Sequence, residues 1–146
     1  MKSSSVLFLR IAAVLWIVWG LVHTLAGVMT LAQDTASAFQ AICAAVDPAS
    51  LEMDYPDGVG GVLDQHGWNL AWFGIVTTIG GVLVWRRNMT AIWVTAMIGG
   101  LADLGYFFFV DLAGYARFVP GTVMTIVSGT AILLSMIVWF SNRAKS

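Results

Sequence analysis

The chain has 146 residues, of which 59% are apolar and 10% are charged, and its formal net charge is −1. Ordinary soluble domains are about half apolar and about a quarter charged, so this composition excludes that class and indicates a polytopic membrane protein. A net charge near zero also argues against a nucleic-acid partner.

Four uninterrupted apolar windows follow one another along the chain. They cover residues 6–32, 65–85, 90–110 and 119–140. Each window has the length of about 20 residues that a helix needs to cross about 30 Å of hydrocarbon. The sequence therefore predicts an all-α fold in one integral membrane domain, residues 1–146: a four-helix transmembrane bundle with an external loop at residues 33–64.

The cations are distributed unequally between the two ends of this arrangement. Only Arg117 falls at the outer end, and the other six fall at the end that holds both termini. The six are Lys2, Arg10, Arg86, Arg87, Arg143 and Lys145. The positive-inside rule therefore predicts a multi-pass protein of the bacterial plasma (inner) membrane, with the N- and C-termini in the cytoplasm.

The external loop, residues 33–64, is expected to form an ordered cover. Asp34 can cap a short amphipathic helix, and the Asp-Pro pair at residues 47–48 can begin another short turn. Residues 55–58, Tyr-Pro-Asp-Gly, predict a turn, and the two glycines at 60–61 predict a flexible approach to the second span.

One histidine, His23, lies in the outer half of the first span. A histidine inside a membrane span is costly, so it should face protein or water and have a partner. Trp16 and Trp19 lie too deep for an interfacial belt. We expect these two side chains to fill the core between helices or to contact a bound ligand.

Further polar side chains lie at a similar depth in the next two spans. The second span carries Gln65, His66, Trp68, Asn69 and Trp72 near its outer end. In the third span, Asp103 lies about 20 Å from the cytoplasmic end, and Tyr106 lies one turn further out. An aspartate inside a span costs about 2.5–3.5 kcal/mol on insertion scales, so we expect these residues to form one polar cluster.

Small residues recur every four positions on the third and fourth spans. The third span has Ala91, Thr95 and Gly99 leading to Asp103, and the fourth has Gly121, Thr125 and Gly129. Such faces allow close helix packing within the bundle. They also permit a homo-oligomer or a membrane-protein partner, in addition to the surrounding lipid bilayer.

Three interpretations of the polar cluster remain open. It could be a purely structural network in which His23 pairs with Asp103 and no ligand is bound. It could be an outer-leaflet pocket for a lipid, quinone or small amphiphile, walled by tryptophans. It could also hold a transition metal or haem through His23, His66 and Asp103.

Local signatures of catalysis are missing from the sequence. HExxH, CxxC, GxSxG and phosphate-loop patterns do not occur, so no catalytic residue is assigned and a non-enzymatic role is favoured. That role is ligand binding, or service as an accessory subunit of a membrane complex. The alternative is a metal- or haem-binding redox membrane protein that uses His23 and His66.

The pattern Gly20-x-x-His23-Thr24-x-x-Gly27, a tryptophan-rich second span and a Pro-Gly start to the fourth span carry a resemblance. With these features the chain resembles small uncharacterised four-helix integral membrane proteins of bacteria. The resemblance covers the architecture of the whole chain. It implies a membrane location and carries over no activity and no functional residue.

Overall fold

The computed structural model describes residues 3–143 as four long helices with one short helix across one end. The helices are α1 (Ser3–Leu31), α2 (Thr35–Ile42), α3 (Asp57–Trp85), α4 (Met89–Tyr106) and α5 (Val123–Arg143). The predicted all-α four-helix bundle, with a short helix in the connection between the first two spans, is confirmed.

The helical segments are long enough for a multi-pass membrane protein. Phe107–Asp111 extends α4 as a π-helical turn, and Phe118–Thr122 forms a similar turn before α5. Within residues 3–143, four segments are long and apolar enough to cross a membrane. They are Ser3–Leu31, Asp57–Trp85, Met89–Asp111 and Phe118–Asn142.

The second spanning helix begins earlier than its apolar window suggests. α3 starts at Asp57, so the glycines at 60–61 lie inside the helix and not in a flexible approach. Pro56 ends the connection in an extended conformation, and Asp57 places a carboxylate in the first turn, where the helix dipole favours it. The connection between the first two spanning helices is therefore residues 32–56, shorter than the predicted 33–64.

α1 and α3 pack antiparallel along a seam of glycines. Gly20 of α1 lies against Gly74 of α3, and Gly27 lies against Gly67. A Cβ atom at Gly27 would collide with the Gly67 carbonyl oxygen and with the Ala71 backbone nitrogen. The two backbones are therefore in direct contact, which is how helices associate in lipid without a hydrophobic driving force.

The predicted seam on α4 is a packing surface. Ala91, Thr95, Gly99 and Asp103 are all buried. Gly99 lies against the ring of Trp16, since a Cβ atom at this glycine would clash with it. This close approach brings the Asp103 end of α4 against the tryptophans of α1.

The predicted packing face on the fourth span is only partly buried. A Cβ atom at Gly121 would lie 2.7 Å from the Tyr106 hydroxyl, whereas Gly129 is exposed and a Cβ atom there would meet nothing within 4 Å. The fully buried stripe of α5 lies beside this face and consists of Ser128, Ala131, Ser135 and Val138. The four-residue spacing therefore identified a contact at the start of the span but not along its whole length.

Arg10 and Trp85 mark the end of the bundle opposite α2. The Arg10 guanidinium lies over the indole of Trp85, with 5.3 Å between its Cζ atom and the ring centroid. This contact places the start of α1 beside the end of α3. At the other end, Asp34 caps α2 by accepting hydrogen bonds from the Ser37 N–H (3.0 Å) and the Ser37 hydroxyl (2.8 Å).

The connection after α2 is also held by local hydrogen bonds. Asp47 caps a 3₁₀ helix at Pro48–Leu51, with proline in its first turn, as the Asp-Pro pair predicted. The Gln40 amide donates to the carbonyls of Ala44 and Val46 and so fixes the chain where α2 ends. The cover is thus ordered secondary structure, as expected.

Candidate functional site

A cavity of about 540 Å³ lies among the four spanning helices at the end covered by α2. All five helices contribute to its lining, including Ala41 and Ile42 of α2. Most of the wall is apolar, with Leu70, Phe73 and Met124 among its larger side chains. The cavity is therefore largely apolar, with a small number of polar groups in its lining.

The structure gathers most of the predicted polar cluster at this cavity. Trp19, His23, His66, Asn69, Asp103 and Tyr106 all line it. These residues come from α1, α3 and α4, which are far apart in sequence. Their predicted similarity in depth is therefore matched by a shared location.

The remaining four predicted residues lie outside the cavity lining. Gln65 and Trp68 are exposed on the surface of α3. Trp72 is more than a third exposed and reaches the site only through its Nε1–H, which donates to Asn69. Trp16 is fully buried as core filling, edge-on to the Trp19 ring. Depth along a helix was predictable, but the direction in which each side chain points was not.

His23 is fixed by Trp19, the residue one turn earlier on α1. The imidazole stacks on the Trp19 indole, with ring centroids 3.6 Å apart and planes 17° apart. Its Nδ1 lies 2.8 Å from the Trp19 carbonyl oxygen. Because a carbonyl oxygen can only accept, Nδ1 carries the hydrogen, and in the neutral ring Nε2 is the acceptor. No described residue forms a hydrogen bond with Nε2, and the ring lines the cavity.

The predicted pairing of His23 with Asp103 is wrong. The Asp103 carboxyl group is buried and is hydrogen-bonded through Oδ2 to the Ser128 hydroxyl of α5. The two residues share the cavity without a hydrogen bond between them. Trp19 contacts both groups: its ring stacks on His23, and its Nε1–H is directed towards the Asp103 carboxyl group without completing a hydrogen bond.

The α3 side of the cavity contributes His66 and Asn69. The Trp72 Nε1–H donates to Asn69 Oδ1 at 3.2 Å, which leaves the Asn69 NH₂ group as a free donor. His66 is partly buried, and neither of its ring nitrogens bonds to any of the residues 3–143. This wall therefore offers both a donor and an amphoteric imidazole.

α2 is held over the cavity by two hydrogen bonds. The Tyr106 hydroxyl of α4 donates to the Ile42 carbonyl at the end of α2, at 3.4 Å. The Ala45 N–H donates to the carbonyl of Tyr115, in the turn between α4 and α5, at 2.9 Å. The cover is therefore attached to the α4 side of the bundle.

Ser128, the partner of Asp103, was not among the predicted site residues, because the fourth span has no ionisable residue to draw attention to it. A signal was present: Asp103 and Ser128 lie about 11–14 Å from the ends of the windows 90–110 and 119–140 that meet in the short loop between these spans, at 1.5 Å per residue. A serine at the depth of a buried carboxyl group is a natural hydrogen-bond donor to it.

The side chains around the cavity are not arranged to bind a metal ion. Within residues 3–143, no group of three or more His, Cys, Asp or Glu side chains is placed to hold a metal ion. His23, His66 and Asp103 therefore do not form the three-ligand site considered above. No lysine or arginine of the described chain lines the cavity to pair with the carboxylates of haem, so axial ligation by His23 and His66 has no supporting counter-charge.

Comparison of the chain with protein-family models, with curated proteins and with solved structures finds no match.

Proposed function

We propose that this protein binds a small amphipathic molecule, such as a lipid or a quinone, in the cavity under α2. Its role is non-enzymatic, either as a binding protein or as an accessory subunit of a membrane complex. The observation that carries the proposal is the chamber of about 540 Å³ among the four spanning helices, apolar on most of its wall and polar at His23, His66, Asn69 and Asp103.

The size and chemistry of the chamber suit such a ligand. Binding sites for small molecules typically measure about 300–1,000 Å³ and combine apolar walls with a few convergent polar groups. Leu70, Phe73 and Met124 would contact an apolar body, while the polar side chains orient the other end. Cavities between the helices of a bundle are a common place for such sites.

Unpaired polar atoms favour a ligand over a purely structural network. A network that only fixes helix register should pair its own donors and acceptors, because an unpaired polar atom away from water costs about 1–3 kcal/mol. His23 Nε2, Asp103 Oδ1 and both His66 nitrogens have no hydrogen bond to the described residues, and their side chains line the cavity, where a ligand or water can reach them. A bound polar group would satisfy these atoms.

We infer that the cavity lies in the non-cytoplasmic half of a bacterial plasma membrane, with both termini in the cytoplasm. Arg10, Arg86 and Arg87 lie at the end of the bundle opposite α2. The positive-inside rule assigns the cation-rich end to the cytoplasm. The ligand would then be taken from the outer leaflet or from the space above it.

Native mass spectrometry of the protein, purified in a mild detergent that retains lipids, tests the proposal. Ala26 lines the cavity, whereas its neighbour Leu25 is 61% exposed on the outside of the bundle. Ala26→Trp should fill the cavity, and Leu25→Trp adds the same ring outside it. We expect a bound small molecule on the wild type and on Leu25→Trp, and its loss from Ala26→Trp.

Two results would overturn the proposed function. One is a wild-type protein that carries no adduct under lipid-retaining conditions and gains none when membrane lipid extract is added. The other is an adduct that persists equally in Ala26→Trp and Leu25→Trp, which would place the molecule on the outer surface of the helices.

A further inference from the structure

We propose that the polar end of the ligand carries a hydroxyl group. This inference rests on the proposed function and names the chemistry that the cavity recognises. It follows from the roles that His23, Asp103 and Asn69 can play once their bonds within the protein are counted.

His23 requires a donor from the ligand. Its Nδ1–H is engaged by the Trp19 carbonyl oxygen at 2.8 Å, so Nε2 presents a lone pair. The bond to the Trp19 carbonyl oxygen disfavours a flipped ring, because Cδ2 would then take the place of Nδ1 and the bond would be lost. An ether or a ketone on the ligand has no hydrogen to give to this atom.

Asp103 presents a second acceptor to the cavity when its carboxyl group is ionised. Its Oδ2 atom is engaged with Ser128, whose hydroxyl lies 3.1 Å from the Thr125 carbonyl oxygen as well. In the ionised carboxyl group, Ser128 donates to Oδ2, and Oδ1 accepts from the ligand. In the protonated group, a hydrogen on Oδ1 would instead be donated to the ligand, and a hydroxyl oxygen can accept it.

The α3 wall supplies the complementary group. The side-chain oxygen of Asn69, Oδ1, accepts a hydrogen bond from the Trp72 Nε1–H at 3.2 Å, so the side-chain NH₂ group is available to the ligand. A ligand hydroxyl donates through its hydrogen and accepts through its oxygen, and so it can pair with His23 or Asp103 on one side and with Asn69 on the other. A ketone or an ether could accept from Asn69 or from the N–H of His66, but it would leave His23 Nε2 without a donor.

The test compares two probes that differ only in this hydrogen, 4-nonylphenol and its methyl ether, 4-nonylanisole. Their dissociation constants would be measured by calorimetry on the full chain in lipid nanodiscs, with Ala26→Trp as the baseline for partition into lipid. We expect the phenol to bind about tenfold more tightly than the ether to the wild type, since one buried acceptor is left unpaired by the ether.

Three variants test whether the preference for the phenol over the ether arises from the cavity residues. His23→Phe keeps a ring that can stack on Trp19 but removes Nε2, and it should reduce the phenol-to-ether ratio to about one if His23 is the main acceptor. Asp103→Asn, which can still bond to Ser128, should reduce the ratio as well. Gln65→Leu changes a polar residue outside the cavity and should leave the ratio unchanged.

Each remaining result overturns the inference. Equal binding of the two probes to the wild type would remove the hydroxyl preference and leave the proposed function in place. A tenfold preference that survives in both His23→Phe and Asp103→Asn would assign it to other atoms. Binding of neither probe above the Ala26→Trp baseline would reject the inference, and the proposed function would also fall if mass spectrometry shows no adduct.

Discussion

Trp19 holds His23 in two ways at once: its indole stacks on the imidazole at a centroid distance of 3.6 Å, and its carbonyl oxygen accepts the Nδ1–H at 2.8 Å. One residue thus sets the plane of the histidine and also which ring nitrogen carries the hydrogen. The same indole directs its N–H towards Asp103. Trp19 is therefore the residue that joins the two halves of the polar cluster.

Trp19→Ala should lower the free energy of unfolding by about 3 kcal/mol, because a fully buried indole leaves a cavity that the helices cannot close. Trp68→Ala removes the same ring from a position that is 63% exposed and should change stability by less than about 0.5 kcal/mol. Chemical denaturation in detergent, followed by circular dichroism, measures both. Similar losses in the two variants would contradict the assignment of Trp19 to the core.

Ser128→Ala should destabilise the protein by about 1–2 kcal/mol, because the buried Asp103 carboxyl group loses its partner on α5. Ser135→Ala is the matched control. This serine is also fully buried on α5, but its hydroxyl bonds only to carbonyls of its own helix. A double-mutant cycle of Ser128→Ala with Asp103→Leu should give a coupling energy of about 0.6–1.7 kcal/mol, and additive effects would contradict the contact.

Gly27→Ala should destabilise the α1–α3 pair by about 1–3 kcal/mol, because its Cβ atom would strike backbone atoms of α3 that cannot rotate away. Gly129→Ala introduces the same methyl group into open space and should be neutral or slightly stabilising. Melting temperatures in one detergent compare the two variants directly. A Gly27→Ala protein that melts with the wild type would show that the two backbones are further apart than described.

The cap of α2 should respond to acid. Hydrogen bonds from Ser37 hold the pKa of the exposed Asp34 carboxyl group below its ordinary value of 3.8. The stabilisation by the charged cap is therefore fully present above that ordinary value, and it is lost as the pH falls through the lower pKa of the folded state. Hydrogen-exchange protection in α2, normalised to intrinsic rates, should fall between pH 5 and pH 2.5.

Asp34→Asn provides the control for this acid effect. Asparagine also caps helices but does not titrate, so protection of α2 in this variant should be the same at the two pH values. Parallel losses in the wild type and in Asp34→Asn would assign the effect to another group.

The orientation of the protein in the membrane can be determined by labelling introduced cysteines. Burial raises the pKa of the Cys43 thiol, which makes this single natural cysteine a slow target for maleimides. In a Cys43→Ala background, Ala49→Cys beside α2 and Ser141→Cys near the opposite end would both be exposed. A membrane-impermeant maleimide applied to intact cells should label only Ala49→Cys, and the reverse pattern would invert the proposed topology.

The sequence predicted the helices and the depth of the polar residues well, because apolar length and charge act along the helix axis. It placed His23, His66 and Asp103 at one level, and the structure brings all three to one cavity. It also predicted Asp34 as the cap of a covering helix. Each of these conclusions depends on spacing along the chain alone.

The partners of these residues could not be predicted in the same way. Whether Asp103 meets His23 or Ser128 depends on which helix stands beside α4 and on its rotation, and four apolar helices with similar faces permit several arrangements. The start of α3 was missed for a different reason. A membrane window measures hydropathy, while this helix continues beyond the apolar run through residues 57–64, which contain Asp57, Asp64 and three glycines.

The glycine contacts between α1 and α3 divide the bundle into a stiff half and a compliant one. Backbones that touch at Gly20–Gly74 and Gly27–Gly67 have no side chains between them that could change rotamer. Any adjustment of the chamber to a wider or narrower guest must therefore come from α4 and α5, which meet through ordinary side chains such as Ile132 against Gly100. Because α2 contacts α1 and α3 and bonds to Tyr106 of α4 only at Ile42, a shift of that compliant half would pull on one end of the cover while the other end stays with the stiff half.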